Sequence, residues 1–255
     1  MSEGQRIELC RPWLVTGWPG MGNVALNACV YLLSKLDMEL LAELSADDLF
    51  DIDHVEVRQG LVRRGRRARN RFFVWKDPKE RHDLVVFLGE AQPPIGKYAF
   101  CRQLIAYAKE LGIERLFAFA AMATAMHPQQ ASRVFVAATN QESSTRLYRL
   151  ELEILGGRLY RRSQRSGSWG RGRSGHRWRP FGGEIPHLFS QLPFPKASLA
   201  ILEKLTTLMG IEMDFTELGR SGRGHGNPAF RVPVTNGGGE RGTISRATGV
   251  VQSGT

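Results

Sequence analysis

The sequence predicts an α/β sandwich with a largely parallel central sheet. Two observations support this prediction. Short apolar runs of strand length alternate along the 255 residues with segments of helical periodicity. One of these runs, DLVVFLGE at 83–90, is apolar through its whole middle, as is typical of a parallel strand buried on both faces. Because parallel strands are connected by helical crossovers, both observations indicate the same fold class.

The first predicted unit is a strand, a glycine-rich turn and a helix. The apolar run at 11–18 is the strand, and the segment 23–36 places apolar residues on successive helical turns. The other elements follow in order along the chain. Further strands are predicted at 38–45, 54–62, 83–90, 114–123 and 132–140, with helices at 95–113 and from Lys196 onward, the last after a proline-rich loop that starts at 183.

Arginines are concentrated between residues 63 and 71. Six of these nine residues are arginine, and an aromatic, strand-like run follows them up to Trp75. No aromatic side chains are interleaved among the arginines for stacking on bases. The pattern therefore predicts a solvated hairpin tip rather than a nucleic-acid-binding patch.

The net charge of +10 comes mainly from two other segments. Residues 158–180 contain eight arginines and no acid, residues 219–255 contain five arginines and one glutamate, and the remainder of the chain has a net charge of −2. The basic field over a whole domain that is expected of a nucleic-acid-binding protein is therefore absent. RNA binding through 158–180 is the least favoured hypothesis about function, and nucleic acid is not an expected partner.

The cysteine count and the hydropathy pattern indicate the cellular location of the protein. Cys10, Cys29 and Cys101 are an odd number of thiols without metal-ligand spacing, which favours reduced cysteines in a cytosolic protein. The amino terminus has no apolar signal core, and the longest apolar run, 116–126, is too short to span a bilayer. We expect a soluble, cytoplasmic protein with no membrane contact, no metal ion and no cofactor.

A candidate ligand-binding site lies at the glycine turn. Gly17, Gly20, Gly22 and Asn23 connect the first strand to the first helix, where backbone N–H groups can hold a phosphate, with Asn23 also a candidate helix cap. Glu90 follows a buried strand at its carboxyl end, the edge at which α/β folds bind ligands. The turn lacks the lysine and hydroxyl of a P-loop. A tight turn and an ion pair are therefore the favoured interpretations, and no catalytic residue is predicted.

A candidate protein-contact surface follows the last predicted loop. The segment HLFSQLPFP at 187–195 contains large apolar residues in a loop, where they are available to a partner. A buried loop is the competing interpretation. The predicted contact residues are His187, Leu188, Phe189, Leu192 and Phe194.

Four segments in this order resemble the proteasome assembly chaperone family: 14–36, 83–94, 121–139 and 183–211. The ordered set is specific, especially GEIPHLFSQLPFPKASLAIL, although the glycine turn alone would be weak. The resemblance implies a three-layer α/β/α sandwich of phosphorylase/hydrolase-like type. It also implies self-association or pairing with a paralogue, and it suggests proteasome subunits as further partners.

One segment departs from the family pattern. Where the family has a strand, a helix and a strand with a Gly-Leu-Asn-Gly turn, residues 158–182 are rich in Arg, Gly and Ser. Shifted by one base, codons for Tyr160 to Ser166 can encode Ile-Gly-Gly-Leu-Asn-Gly, and the shifted frame can rejoin the chain at Glu184. We therefore hypothesise a paired frameshift within a single domain of residues 1–218. Residues 219–255 have a similar composition and no hydrophobic period, so a disordered tail is expected.

The favoured function is that of a non-enzymatic assembly chaperone or scaffold acting through protein contacts. The alternative is a small-molecule enzyme or ligase that binds a nucleotide or a phosphorylated ligand at the glycine turn, so enzymatic activity stays open. Some members of the family end in a hydrophobic-tyrosine-any tripeptide that docks on the proteasome core. This sequence ends in Val-Val-Gln-Ser-Gly-Thr, so docking through the tail is not expected.

Overall fold

The computed structural model describes residues 7–50, 55–65, 67–136, 153–154 and 177–221. The strands within these ranges are β1 (Trp13–Gly17), β2 (Glu39–Glu43), β3 (Val55–Arg58), β4 (Leu61–Arg64), β5 (Asn70–Trp75), β6 (Leu84–Gly89), β7 (Arg115–Thr124), β8 (Val134–Val136), β9 (Glu153–Ile154) and β10 (Arg177–Pro186). The helices are α1 (Val24–Lys35), α2 (Lys97–Glu110), α3 (Pro195–Met209) and α4 (Thr216–Ser221). Single 3₁₀ turns lie at Met21–Asn23, Asp47–Leu49 and His187–Phe189.

Eight of these strands form one sheet in the order β2-β5-β6-β1-β7-β10-β8-β9. The four central strands, β6, β1, β7 and β10, are parallel to one another. The flanks are mixed, because β5 is antiparallel to both β2 and β6, and β8 is antiparallel to β10. The predicted largely parallel sheet is confirmed for this centre.

Helices cover both faces of the sheet. On one face, α1 and α3 enclose a core with the odd-numbered side chains of β1, such as Trp13 and Val15. On the other face, α2 packs on a second core that includes Leu14 and Phe87. The expected three-layer α/β/α sandwich is confirmed.

The middle strands are buried on both faces. In β6, Leu84 and Val86 point into the core under α1 and α3, while Val85 and Phe87 point into the core under α2. Side chains of a strand alternate between the two faces of the sheet, so both sets must be apolar here. This explains the unbroken apolar run in the sequence.

Two segments differ from the prediction. The apolar pattern at 54–62 is not one strand but the hairpin β3–β4, which turns at Gln59 and Gly60 with φ values of 52° and 77°. Two consecutive residues with positive φ form a two-residue hairpin turn whose twist matches that of the two flanking strands. The hairpin tip therefore lies before the arginines of 63–71, which belong to β4, β5 and the connection between them.

The arginine-rich segment also differs in part. Residues 177–182 form the first part of β10, a ten-residue strand paired along its whole length with β7. The strand continues to Pro186, where the sequence predicted a loop. The rest of the hypothesised frameshift, 160–176, and all but the first residues of the predicted tail lie outside the described residues. At the other end of the predicted boundary, Leu218 is buried in α4.

Candidate functional site

The candidate residues gather at one edge of the sheet. Because β6, β1, β7 and β10 are parallel, the loops that follow them all lie at their carboxyl ends, which we name the carboxyl edge. These loops are 18–23, 90–96, 125–133 and 187–194. The β3–β4 hairpin emerges at the same edge, because β2 runs parallel to β6.

The glycine turn has the geometry of a tight strand-to-helix connection. Gly22 and Asn23 have φ values of 61° and 49°, in the left-handed region, which glycine and asparagine tolerate best. Gly20 is extended, with φ near −170°. Asn23 directly precedes α1, but its side chain makes no capping hydrogen bond, so the predicted cap is not formed.

Gly17 sets the distance between β1 and α1. A Cβ at this position would lie 2.5 Å from Sγ of Cys29 and 3.0 Å from the carbonyl oxygen of Ala25. The helix therefore approaches the strand closely because Gly17 has no side chain. Burial in this contact also raises the pKa of the Cys29 thiol well above its usual range, so this cysteine is not a nucleophile.

The structure brings the glycine turn into contact with the loop 187–194, although the two candidate sites are far apart in the sequence. The Gly22 N–H donates to the carbonyl oxygen of Ser190 at 3.3 Å, and the Phe194 N–H donates to the carbonyl oxygen of Gly22 at 2.9 Å. The Asn23 N–H donates to the carbonyl oxygen of Gly20 at 3.0 Å. Two N–H groups that could have held a phosphate are therefore already bonded within the protein.

Glu90 is part of an ion pair rather than a lone carboxylate. Its Oε1 accepts a hydrogen bond from Nη2 of Arg71 at 2.8 Å, and its Oε2 accepts one from the Arg69 N–H at 3.0 Å. The Arg71 side chain is 9% exposed. Charge-assisted bonds of this kind are strong, and they fasten the start of β5 to the end of β6.

Trp18, at the start of the turn, packs against the end of β6 and was not predicted as a site residue. Its ring is 5.1 Å from that of Phe87, and a Cβ on Gly89 would lie 2.4 Å from the indole. Gln92 also reaches the turn, where its Nε2 donates to the carbonyl oxygen of Pro19 at 3.3 Å. Trp18 and Gln92 therefore link the turn to the end of β6 and the loop that follows it. The signal in the sequence was the large aromatic side chain next to Gly17. It was overlooked because Trp18 was assigned to the predicted strand at 11–18.

The predicted contact residues divide into two groups. Leu188 is 78% exposed and Leu192 is 55% exposed, and His187 is exposed as well. Phe194 is only 5% exposed and belongs to the core, with its ring 5.0 Å from that of the half-buried Phe189. The outward-facing part of this loop is therefore the 3₁₀ turn and Leu192, whereas Phe194 anchors it.

Exposed apolar side chains of the described residues concentrate at the carboxyl edge. Large hydrophobic side chains seldom form contiguous exposed surfaces on monomeric proteins. Two of the exposed ones, Ile7 and Leu40, lie elsewhere. The other eight lie at this edge, in the hairpin, the loops and the first turn of α2: Val55, Val57, Leu61, Val62, Ile95, Tyr98, Leu188 and Leu192.

A buried ion pair supports the same edge. Glu184, which is 1% exposed, accepts hydrogen bonds from Nε and Nη2 of Arg133 at 2.8 and 2.7 Å and from Oγ1 of Thr124 at 2.7 Å. The hydrogen bonds from Arg133 hold the pKa of Glu184 below its ordinary value. Lys196 Nζ donates to the carbonyl oxygen of Pro128 at 2.8 Å. Arg133 and Lys196 thus hold the 125–133 loop in place.

The described part of the chain has neither a metal-binding cluster nor a membrane-spanning helix. No group of three or more His, Cys, Asp or Glu side chains there could hold a metal ion. Within the same ranges, no helix has the length and apolarity needed to cross a bilayer.

Solved structures with the same fold include several relatives. PbaB of Pyrococcus furiosus, an archaeal proteasome activator, has a TM-score of 0.64 and 23% identity, over 86% of this chain and 92% of that one. A proteasome-assembly chaperone homologue of Mycobacterium tuberculosis has a TM-score of 0.68 and 20% identity, over 82% and 90% of the two chains. A PAC2 family protein of Streptomyces avermitilis has a TM-score of 0.66 and 23% identity, over 83% and 92%.

Sequence comparison gives the family. No curated protein matches the chain significantly. The profile of the PAC2 family matches residues 14–221, which span the strand–turn–helix unit, the parallel centre of the sheet and α3. The chain therefore belongs to the PAC2 family.

Proposed function

We propose that this protein is a non-enzymatic assembly chaperone or scaffold that binds other proteins at its carboxyl edge. The observation that carries the proposal is the concentration of exposed apolar side chains at that edge, with Leu188 and Leu192 beside the glycine turn. Removing apolar surface from water is the main driving force of protein association. Backbone hydrogen bonds to Gly22 hold the loop that carries Leu188 and Leu192, which reduces the entropic cost of binding there.

The family supports the class of function. Structural neighbours include a proteasome activator and a proteasome-assembly chaperone homologue, so proteasome subunits are the first partners to test. Self-association into a homo-oligomer, or pairing with a paralogue, is part of the same proposal. A cytoplasmic location fits the three cysteines, which have no disulfide partner among the described residues.

The arrangement at the glycine turn gives the enzymatic alternative no support of its own. The N–H groups of Gly22 and Asn23 are bonded within the protein, and Glu90 is paired with Arg71. An anion site needs N–H groups that point at the ligand. A general base needs a carboxylate within reach of a substrate proton.

Capture of partners from the native host tests the proposal. The tagged wild-type protein and the variant Leu188→Ser/Leu192→Ser are purified from host cells, and bound proteins are identified by mass spectrometry. Both leucines are exposed, so the variant should fold normally. The matched control is Leu40→Ser, another exposed leucine on a different part of the surface.

We expect the wild-type protein and the Leu40→Ser control to retain the same stoichiometric partners, and the double variant to lose most of them. Equal recovery of all partners by the double variant would exclude this part of the carboxyl edge as the contact surface. Absence of any stoichiometric protein partner, including a second copy of the chain, would refute the chaperone proposal itself.

A further inference from the structure

The loops around the exposed Leu188 and Leu192 contain no acidic residue. The loops 18–23, 125–133 and 187–194 lack both aspartate and glutamate, and so do α1 and the first two turns of α3. Negative charge beside the two leucines must therefore come from a neighbouring strand end or from a partner.

The acids at the neighbouring strand ends are already paired. Glu90, after β6, pairs with Arg71 at 2.8 Å, and Glu184, in β10, pairs with Arg133 at 2.7 Å. These two ion pairs leave neither acid to balance a further cation, and the charge of Arg133 is itself balanced by Glu184.

Lys196 lies where these loops meet. It follows Leu192 by four residues in the chain, and its Nζ donates to the carbonyl oxygen of Pro128 at 2.8 Å. The side chain is half-buried, and within the described ranges no carboxylate lies at ion-pair distance from it. A partly buried charge is screened less than an exposed one. A carboxylate of a partner can therefore pair with Lys196 beside the two leucines.

The fold itself does not require a positive charge at this position. Lys196 is the second residue of α3, and the start of a helix favours negative charge. This helix has no acid in its first turn and no side-chain cap. A neutral amide such as glutamine could also donate to the Pro128 carbonyl. Residues that oppose a local preference of the fold are typical of functional surfaces, so the lysine charge points to a partner.

We propose that the partner segment that binds at Leu188 and Leu192 carries an aspartate or glutamate side chain that pairs with Lys196. The leucines contact the apolar side chains of this segment, and the lysine fixes its register through the carboxylate, since charges at an interface determine specificity more than affinity. This inference rests on the proposed function, because it specifies the partner chemistry at the same surface.

Selection from a library of random peptides tests the proposal. The peptides are joined to a phage coat protein through their carboxyl ends, so that only side chains supply carboxylates. The library is selected on the wild-type protein and on Leu188→Ser/Leu192→Ser. Selected peptides are then synthesised with a blocked carboxyl end, and their Kd is measured with the wild-type protein, Lys196→Gln and Lys196→Glu. The control is Lys79→Glu, since Lys79 is exposed in the loop at the opposite edge of the sheet.

We expect peptides that depend on the two leucines to combine large apolar residues with an acid. Lys196→Glu should weaken their binding about tenfold, because it places like charges together. Lys196→Gln should weaken it about threefold, and Lys79→Glu should leave it unchanged. A peptide whose acid is replaced by lysine should regain binding to Lys196→Glu. Thermal melts of each variant verify folding, and Lys196→Glu should melt no lower than Lys196→Gln, because an acid suits the helix start.

Other outcomes overturn the inference and are distinguishable from a failure of the proposed function. Leucine-dependent peptides that lack an acid, or that bind Lys196→Glu as well as the wild type, refute the ion pair and leave the chaperone proposal standing. If the wild-type protein selects no leucine-dependent peptide, the inference is wrong, and partner capture from the host still decides the proposed function. If the protein instead binds anionic lipid vesicles and Lys196→Glu abolishes this, the surface is a membrane contact and the inference is wrong.

Discussion

Arg133 and Glu184 form a two-pronged ion pair that joins the loop after β7 to the end of β10. The guanidinium donates from Nε and Nη2 to the two carboxylate oxygens at 2.8 and 2.7 Å. The carboxylate is almost fully buried, whereas the arginine side chain is 54% exposed. The Glu184 N–H also donates to the carbonyl oxygen of Arg133 at 2.9 Å, so backbone and side chains fix the same contact.

Replacing Glu184 with glutamine should destabilise the protein by about 1–2 kcal/mol, or about 2–6 °C in Tm. The value is at the low end for a buried pair, because solvent reaches the arginine. The exposed and longer pair between Arg11 and Glu114, at 3.4 Å, provides the control. Arg11→Ala should change the free energy of unfolding by less than about 0.5 kcal/mol.

The Glu184 contribution should depend on pH in a defined direction. The pKa of Glu184 is lower in the folded protein than in the unfolded chain, so its stabilisation is fully present above the ordinary glutamate pKa of about 4.3. It is lost as the pH falls below that value through the folded pKa. Melts of the wild-type protein and Glu184→Gln between pH 7 and pH 3 should converge at the acid end. A constant difference would contradict this assignment.

Replacing Gly17 or Gly20 of the same turn with alanine should affect stability to different degrees. At Gly17 a Cβ would overlap with Sγ of Cys29 and the Ala25 carbonyl, so α1 must move away from β1. Overpacking of this kind costs about 1–3 kcal/mol. At Gly20 nothing lies within 4 Å of the added Cβ, and the backbone is extended. Chemical denaturation should therefore show a clear loss for Gly17→Ala and little change for Gly20→Ala.

The central fold could be predicted because local and long-range signals agree there. The apolar run of β6 must fill cores on both faces, and the segment that forms α1 has the periodicity of a helix packed on one of them. The β3–β4 hairpin could not be recognised in the same way. Its valines are exposed, so alternation there does not reflect a core, and the Gln59–Gly60 turn was the signal that was missed.

The sequence predicts where the candidate site residues lie in the fold, but it does not predict which side chains they contact. Parallel topology explains why Gly22 and Glu90 lie at one edge. Nothing in the sequence pairs Glu90 with Arg71, or Arg133 with Glu184, because such partners meet only through the strand register. Phe194 illustrates the same limit. Its neighbours in the loop face solvent, whereas the backbone bond from Phe194 to Gly22 directs its ring into the core.

Nucleotides and phosphate should leave the melting temperature unchanged. The N–H groups of Gly22 and Asn23 already donate to protein carbonyls, so they are not directed at a ligand. A thermal-shift assay with millimolar ATP, ADP, nucleosides and inorganic phosphate, with and without magnesium, checks this. A ligand at 100 times its Kd would stabilise the protein by about 2.7 kcal/mol. A reproducible rise would revive the alternative of a ligand-binding enzyme.

The sheet is covered unevenly on the face that carries α2. That helix packs over β5, β6 and β1. Farther along the same face, Ala120 of β7 and Pro180 of β10 are exposed, and within the described ranges no other helix lies over them. The arginine-rich residues 160–176 directly precede β10 in the sequence. At this position the family pattern has a helix between two strands.

The last prediction is that the gene, when sequenced again, encodes the shifted frame between about residues 160 and 182. The shifted reading supplies apolar, helix-capable sequence that can cover Ala120, whereas the present reading has seven arginines between residues 160 and 182. A protein made from the shifted frame should melt at a higher temperature than the present chain and bind less of a dye that reports exposed apolar surface. Independent reads that reproduce the present frame, together with equal melting temperatures for the two proteins, would sink the hypothesis.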